Sequence, residues 1–296
     1  MKSVTPESGS WRDWPLARLE REYSPSSCVP SITPFLEAYV QRSHQAIAEL
    51  SCAQNVRWGN GVEEVFDFFP AASSHAPLLI FFHGGYWQEH SKKDVSFIAL
   101  NCVAEDIAYA AVEYTLAPQT SVGAIVEQCR RAIGSIARQA STLGFDSRRI
   151  FIAGSSAGAH LAAMLLVDGR QGTQGSRENM IAGAILLSGI YDLEPLVPTY
   201  INQALHMTEE EAAILSPIKH RLAPPIPMVV AWGENETDEF KRQSQSFASK
   251  LSEAGFPVKS LQVNGANHFN IVFEVADPSS ELGRATLELI KGGTNS

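Results

Sequence analysis

Ser156 stands at the centre of Gly154-Ser155-Ser156-Ala157-Gly158, directly behind an apolar run (149–154) and directly ahead of a helical pattern. A G-x-S-x-G placed at a strand-to-helix turn holds its serine in a strained conformation with the hydroxyl exposed at the sheet edge. That makes Ser156, and not Ser155, the candidate nucleophile. A serine hydroxyl needs a base, and the base needs an orienting carboxylate. In this architecture the acid and then the histidine follow the serine along the chain. His160 lies in the nucleophile's own helix, and His206 and His220 lie in a segment without strand character. His268, in QVNGANHFNIV, follows the last strand in a short loop and is the candidate base. The acid comes from GENETDEF, after the strand MVVAWG: Glu236 sits one short turn past the strand end, with Asp238 and Glu234 as alternatives. Asp238 and Glu239 also suit a helix N-terminus, where carboxylates complement the dipole.

Acyl transfer builds negative charge on a carbonyl oxygen, and two amides must meet it. One candidate is Ala157, the residue after the nucleophile. The other comes from FFHGGYWQEH, where a strand runs into His83-Gly84-Gly85. Gly84 and Gly85 let their amides turn inward with no side chain in the way, and each such donor contributes about 3 kcal/mol. His83 is expected to brace this loop by hydrogen bonding. Tyr86 and Trp87 are either packed core or a platform for a ligand. No H-E-x-x-H or clustered His/Asp pattern occurs, so neither a metal nor another cofactor is expected.

The elements that must position these residues alternate from Gly61 onward. Strands are expected at 62–70 (half-exposed), 77–85 (fully buried), 107–114, 149–154, 182–189, 227–233 and 258–265. Helices are expected at 94–106, 121–140, from Ala157, 238–254 and 280–291. The helix at 121–140 carries Val122, Ile125, Val126, Cys129, Ile133 and Ile136 on one face. Strands separated by helices give an α/β fold, a mostly parallel sheet covered on both faces. Residues 193–225 carry several prolines and the acidic TEEEAAIL, and an insertion there is expected to cap the site. The chain is read as a single domain over 1–296, with 1–55 a leader segment packing on the core.

The net charge of −9 and the lack of a basic stretch argue against nucleic acid. Cys28, Cys52, Cys102 and Cys129 form no C-x-x-C pair and are expected as free thiols in a reducing compartment. Neither a signal-peptide core nor a membrane span of roughly 18 apolar residues is present, which points to the cytoplasm and to no membrane partner.

The sequence resembles the kynurenine formamidases (arylformamidases), a branch of the α/β-hydrolases. The resemblance rests on His83-Gly84-Gly85-Tyr86-Trp87, on GSSAGAH (154–160), on SGIYDLEPL (188–196), on EFKRQS (239–244), on NHF (267–269) and on the leader REYSPSS (21–27). It implies an α/β-hydrolase fold and metal-independent cleavage of an N-formyl arylamide, with Ser156 as nucleophile and His268 as base. The acid position falls four residues before Phe240, on Glu236, where the family usually has Asp. This departure leaves hydrolysis intact and weakens transfer of the substrate. The resemblance further implies an aryl pocket walled by Tyr86 and Trp87 with Tyr23, Tyr191 and Phe269, the other reading of these rings being packed core. A homodimer is the family-level expectation. The expected reaction is hydrolysis of an aryl N-acyl amide, N-formylkynurenine or a relative such as an N-acylanthranilate. A carboxylesterase of the hormone-sensitive-lipase type, a non-catalytic ligand-binding protein and a metal-dependent amidohydrolase are the competing readings.

Overall fold

Continuous apolar runs form the middle of the sheet, where both faces are covered. The computed structural model describes residues 11–167, 180–222 and 225–292. Helices α1 (Leu16–Glu22) and α2 (Thr33–Glu49) come first, then strands β1 (Ala53–Arg57), β2 (Val65–Phe69) and β3 (Ala76–Phe82). The order continues α3 (Ile98–Ala104), β4 (Ala108–Val112), α4 (Val122–Arg138), α5 (Ala140–Leu143), β5 (Phe145–Ser155), α6 (Ala157–Leu165) and β6 (Ile181–Leu187). It closes with α7 (Asn202–Leu205), α8 (Glu209–Ile214), β7 (Met228–Asn235), α9 (Asp238–Glu253), β8 (Val258–Asn267) and α10 (Glu281–Gly292). The strands make one sheet in the order β1-β2-β4-β3-β5-β6-β7-β8. β1, β2 and β4 pair antiparallel at one edge; every pairing from β4 to β8 is parallel.

The period-2 alternation of strand side chains divides the core between the two faces. Leu78, Ile80 and Phe82 pack with Ile150, Ile152 and the apolar stripe of α4 on one side. Leu79 and Phe81 pack with Phe151, Ile98, Leu282 and Ile290 on the other. Each fully buried Leu, Ile or Phe contributes about 2 kcal/mol. The α4 stripe is buried at all six expected positions, and Ser121 caps the helix by accepting the Ala124 amide.

The structure departs from the sequence reading in places. The strand expected at 62–70 spans only Val65–Phe69 and is buried at all five positions rather than half-exposed. β2 is flanked on both edges, and its polar member, Asp67, is buried beside Lys92, whose Nζ lies 2.7 Å from Oδ1. The 94–106 helix begins only at Ile98. Ser91 and Asp94 close a capping box around a separate 3-10 turn, Lys92–Asp94, and the chain bends before α3. β5 starts at Phe145, four residues earlier than expected, where Phe145 pairs with Ala76. The 193–225 segment holds α7, α8 and two 3-10 turns, with Leu222 bridged to Val167. Residues 1–10 of the expected leader and 223–224 of the expected insertion lie outside the described residues. All four cysteines are free; Cys102 and Cys129 are buried, Cys28 exposed. Among the described residues no helix is long and apolar enough to cross a membrane.

Candidate active site

Ser156 links β5 to α6 with φ 57° and ψ −120°, a conformation that a serine adopts only under constraint. Two close approaches hold it there. A Cβ on Gly154 would stand 2.2 Å from the Gly158 carbonyl carbon, and one on Gly158 would stand 2.0 Å from the Phe82 carbonyl oxygen. Any side chain at either position would drive strand and helix apart. The Ser156 amide donates to the Leu187 carbonyl of the neighbouring strand at 2.8 Å, so the turn is tied to β6 as well.

β3 delivers the glycine loop alongside this turn. A Cβ at Gly84 would lie 3.0 Å from the Ser155 carbonyl and 3.3 Å from Ser156 Cβ. The Gly84 carbonyl accepts from His83 Nδ1 at 2.9 Å, and the Gly85 carbonyl accepts the amides of Gln88 and Glu89 at 2.9 and 3.0 Å. With the carbonyls tied back, the Gly84 and Gly85 amides donate to no acceptor among the described residues. His83 is the brace of this loop: its ring stacks on Tyr114 at 4.2 Å, and its Nε2 meets Glu113 at 3.3 Å. The Tyr114 hydroxyl donates to the His83 carbonyl at 2.8 Å.

His268 and Glu236 meet across the ends of β8 and β7. His268 Nδ1 lies 2.9 Å from Glu236 Oε2, with the imidazole 8% exposed and the carboxylate 1%. Oε1 of Glu236 accepts the Gly233 amide at 2.6 Å and the Ser188 hydroxyl at 2.5 Å. A carboxylate with both oxygens committed is fixed in space, and Nδ1–H donation to it leaves His268 Nε2 with the lone pair. The alternatives point elsewhere. Asp238 is 91% exposed beside Lys241, and Glu234 accepts the Gly265 amide. Glu236 is thus the carboxylate that meets the histidine.

Ser156, His268, Gly84 and Gly85 line one cavity of about 250 Å³. Its apolar lining includes Leu36, Tyr39, Tyr86, Ile201, Phe269 and Val272; its polar lining includes Ser24, Gln88, Glu89, His90 and Asp94. No Lys or Arg lines it among the described residues. Burial raises the Tyr39 hydroxyl, helped by the nearby Asp94 charge, and burial raises that of Tyr86, so both are neutral donors. Burial alone would raise Asp94, but hydrogen bonding and charge from His90, with the Ser91 amide, hold it below the ordinary carboxylate value. Among the described residues no group of three or more His, Cys, Asp or Glu side chains could hold a metal ion.

A family model described as alpha/beta hydrolase fold matches residues 79–271. The kynurenine formamidase of Danio rerio is 34% identical over 95% of this chain and 98% of its own length, and that of Salmo salar 35% identical over the same shares. The crystal structure of a candidate thioesterase from Silicibacter sp. TM1040 superposes with a TM-score of 0.82 at 24% identity, covering 92% of this chain and 98% of that one. The chain belongs to the kynurenine formamidase family of α/β-hydrolases. It is a hydrolase.

Of the aromatic residues that the kynurenine formamidase resemblance brought forward, the structure takes Tyr86 and Phe269 to the cavity and the other three elsewhere. Trp87, with φ 61°, turns into the core and packs edge-on to His160 at 4.9 Å. Tyr191 stacks on Phe247 at 4.1 Å, fully buried. Tyr23 is also fully buried, its hydroxyl donating to Glu239 at 2.9 Å. All three are fully buried and none lines the cavity. The sequence reading did not find Ser188, Leu36, Tyr39 or Ile201. Ser188 stood in SGIYDLEPL, one of the stretches that carried the resemblance, but nothing in its type marked it as a partner of the acid.

Proposed function

We propose that this hydrolase cleaves the N-acyl amide of an arylamine, N-formylkynurenine or a close relative, through an acyl-enzyme on Ser156. The observation that carries this reading is the 2.9 Å His268–Glu236 hydrogen bond opening on the same cavity as Ser156 in its strained turn. His268 Nε2 takes the Ser156 proton as the hydroxyl attacks the amide carbonyl. The Gly84, Gly85 and Ala157 amides receive the oxyanion. Protonated His268 hands its proton to the departing arylamine, and water then releases the acid by the reverse sequence. No step needs a metal. An aniline leaves more readily than an alkyl amine, so this machinery suits an arylamide better than a peptide.

The lining of the cavity favours N-formylkynurenine over an N-acylanthranilate. An anthranilate carries its carboxylate on the ring carbon next to the amide, so the charge would enter the cavity with the scissile bond. Among the described residues no ammonium or guanidinium lines the cavity to offset that desolvation. Kynurenine's charged groups sit at the end of a ketone side chain, several bonds away from the scissile amide, so they need not enter with it.

The test is kcat/KM of the purified protein on N-formylkynurenine, on N-acylanthranilates of increasing acyl length and on p-nitrophenyl acetate, with Ser156→Ala as control. Preference for N-formylkynurenine by at least about tenfold is expected, with Ser156→Ala losing activity by about 10³-fold or more. Turnover of the activated ester alone would replace the arylamide reading with a general esterase. Absence of Ser156-dependent turnover on all three would refute catalysis by this site.

A further inference from the structure

Three of the residues that the leader contacts directly follow a residue that the proposed chemistry uses. Thr237, after the acid Glu236, donates its hydroxyl to the Glu22 carbonyl at 2.6 Å. Tyr86, after Gly85, donates its hydroxyl to the Tyr23 carbonyl. Phe269, after His268, receives the Tyr39 hydroxyl on its carbonyl and stacks on Phe35 at 5.7 Å. The leader is itself anchored: buried Tyr23 donates to Glu239 at 2.9 Å and accepts from Gln243 at 2.8 Å, both on α9. The Glu239 amide donates to Glu22 Oε2 at 3.3 Å. Acid loop, oxyanion loop and base loop come from three separate strand ends, and the same stretch of leader ties all three together.

We infer that the leader is a positioning clamp for catalysis, with Tyr39 holding the His268 loop in register with Glu236 and Ser156. This rests on the Ser156–His268–Glu236 reading. The base loop has reason to need a clamp. His268 stands beyond the last strand, where β8 has no further strand beside it, and the loop carries a base whose placement sets the rate. Misplacement of a reacting group by about 1 Å costs on the order of 10²-fold in rate. The Tyr39 ring is independently packed against Phe97 and Phe273, so removing its hydroxyl leaves the packing in place.

The experiment is Tyr39→Phe, alone and combined with Glu236→Gln, with kcat and KM measured on p-nitrophenyl acetate and N-formylkynurenine. Tyr39→Phe is expected to lower kcat about tenfold with KM within about twofold. In the Glu236→Gln background the same change is expected to cost less than about twofold, because the register it protects is already lost. An unchanged kcat overturns the inference. So does an equal loss in both backgrounds, which marks a diffuse structural effect, and so does a change confined to KM. If Glu236→Gln itself leaves kcat intact, the triad reading fails, and the single variant shows that separately. Should Tyr39→Phe shift Tm by more than about 5 °C, the pair Thr237→Ser and Thr237→Val replaces it. Serine keeps the donor to Glu22 and is expected to keep the rate, and valine is expected to lose it only when Glu236 is intact. Loss with both or with neither overturns the inference.

Discussion

Glu236→Asp introduces the residue that the family resemblance places at the acid position, and the structure predicts that it disables this protein. The Glu236 carboxylate makes three contacts: Gly233 N at 2.6 Å, Ser188 Oγ at 2.5 Å and His268 Nδ1 at 2.9 Å. Aspartate is shorter by one methylene, about 1.5 Å of reach. With the backbone in place, a carboxylate drawn back by that length stands about 4 Å from Nδ1, outside hydrogen-bond range. The loop is poorly placed to follow. Thr237, the next residue, is tied to the leader at 2.6 Å, and Asn235, the previous one, is paired with Asn267 of β8. Full loss of the orienting acid costs about 10⁴ in kcat, and a water-bridged remnant recovers part of it. The expected fall is therefore between about 10² and 10⁴, or ~3 to 5.5 kcal/mol of transition-state stabilisation. The assay is steady-state kcat/KM, normalised by fluorophosphonate titration of Ser156 so that misfolded protein is not counted. Activity within about fivefold of wild type would show that the loop adapts and that glutamate's length is not what the geometry requires.

Three other outcomes are expected. Lys92→Met leaves Asp67 as a buried, unpaired charge and should cost about 3–5 kcal/mol in urea unfolding. Adding Asp67→Asn, which keeps an acceptor for the Asn55 amide, should restore most of it; a single-variant cost under about 1 kcal/mol would refute the pairing. Alkylation by iodoacetamide followed by mass spectrometry should label exposed Cys28 first. Burial and then the Asp67 charge push the Cys52 thiol up to about 11, so equal rates for these two would contradict the structure. The Asp94 carboxyl is held below its ordinary 3.8, so the stability it adds is present above that pH and is lost as pH falls through its folded value. Asp94→Asn should flatten the decline of Tm as pH falls below about 4, and an unaltered acid limb would rule this out.

What could be read from the sequence was set locally. The Ser156 turn needs only a strand, two glycines and a helix in succession, and all lie within a dozen residues. His268 and Glu236 followed from their order behind the serine and from the strand ends they stand on. The substrate wall could not be read this way, because its direction depends on backbone angles and on distant partners. Tyr39 and Phe269 are separated by most of the chain, and nothing in either residue's type announces the other. The exposure of β2 was misjudged for the same reason. Asp67 reads as a solvent position in an alternating pattern until Lys92, far along the chain, is found buried against it.

The aromatic pair after the glycines shows how such a loop is made rigid. Tyr86 and Trp87 both have positive φ, 49° and 61°, which only firm support on both sides would sustain in bulky residues. Tyr86 reaches out to the leader through its hydroxyl and presents its ring to the cavity. Trp87 reaches in, meeting His160 of α6 edge-on, while its carbonyl accepts the Ala117 amide at 2.8 Å. His160 in turn is held at 2.7 Å by the Leu215 carbonyl, beyond α8. The glycines are therefore followed by two anchored rings, Tyr86 lining the cavity and Trp87 packed on α6. An oxyanion site stabilises charge only if its donors are already in place when the charge forms. Two glycines in sequence would be too mobile to meet that condition unaided. The two aromatics are held on different partners, the leader and α6, and of the two only Tyr86 lines the cavity.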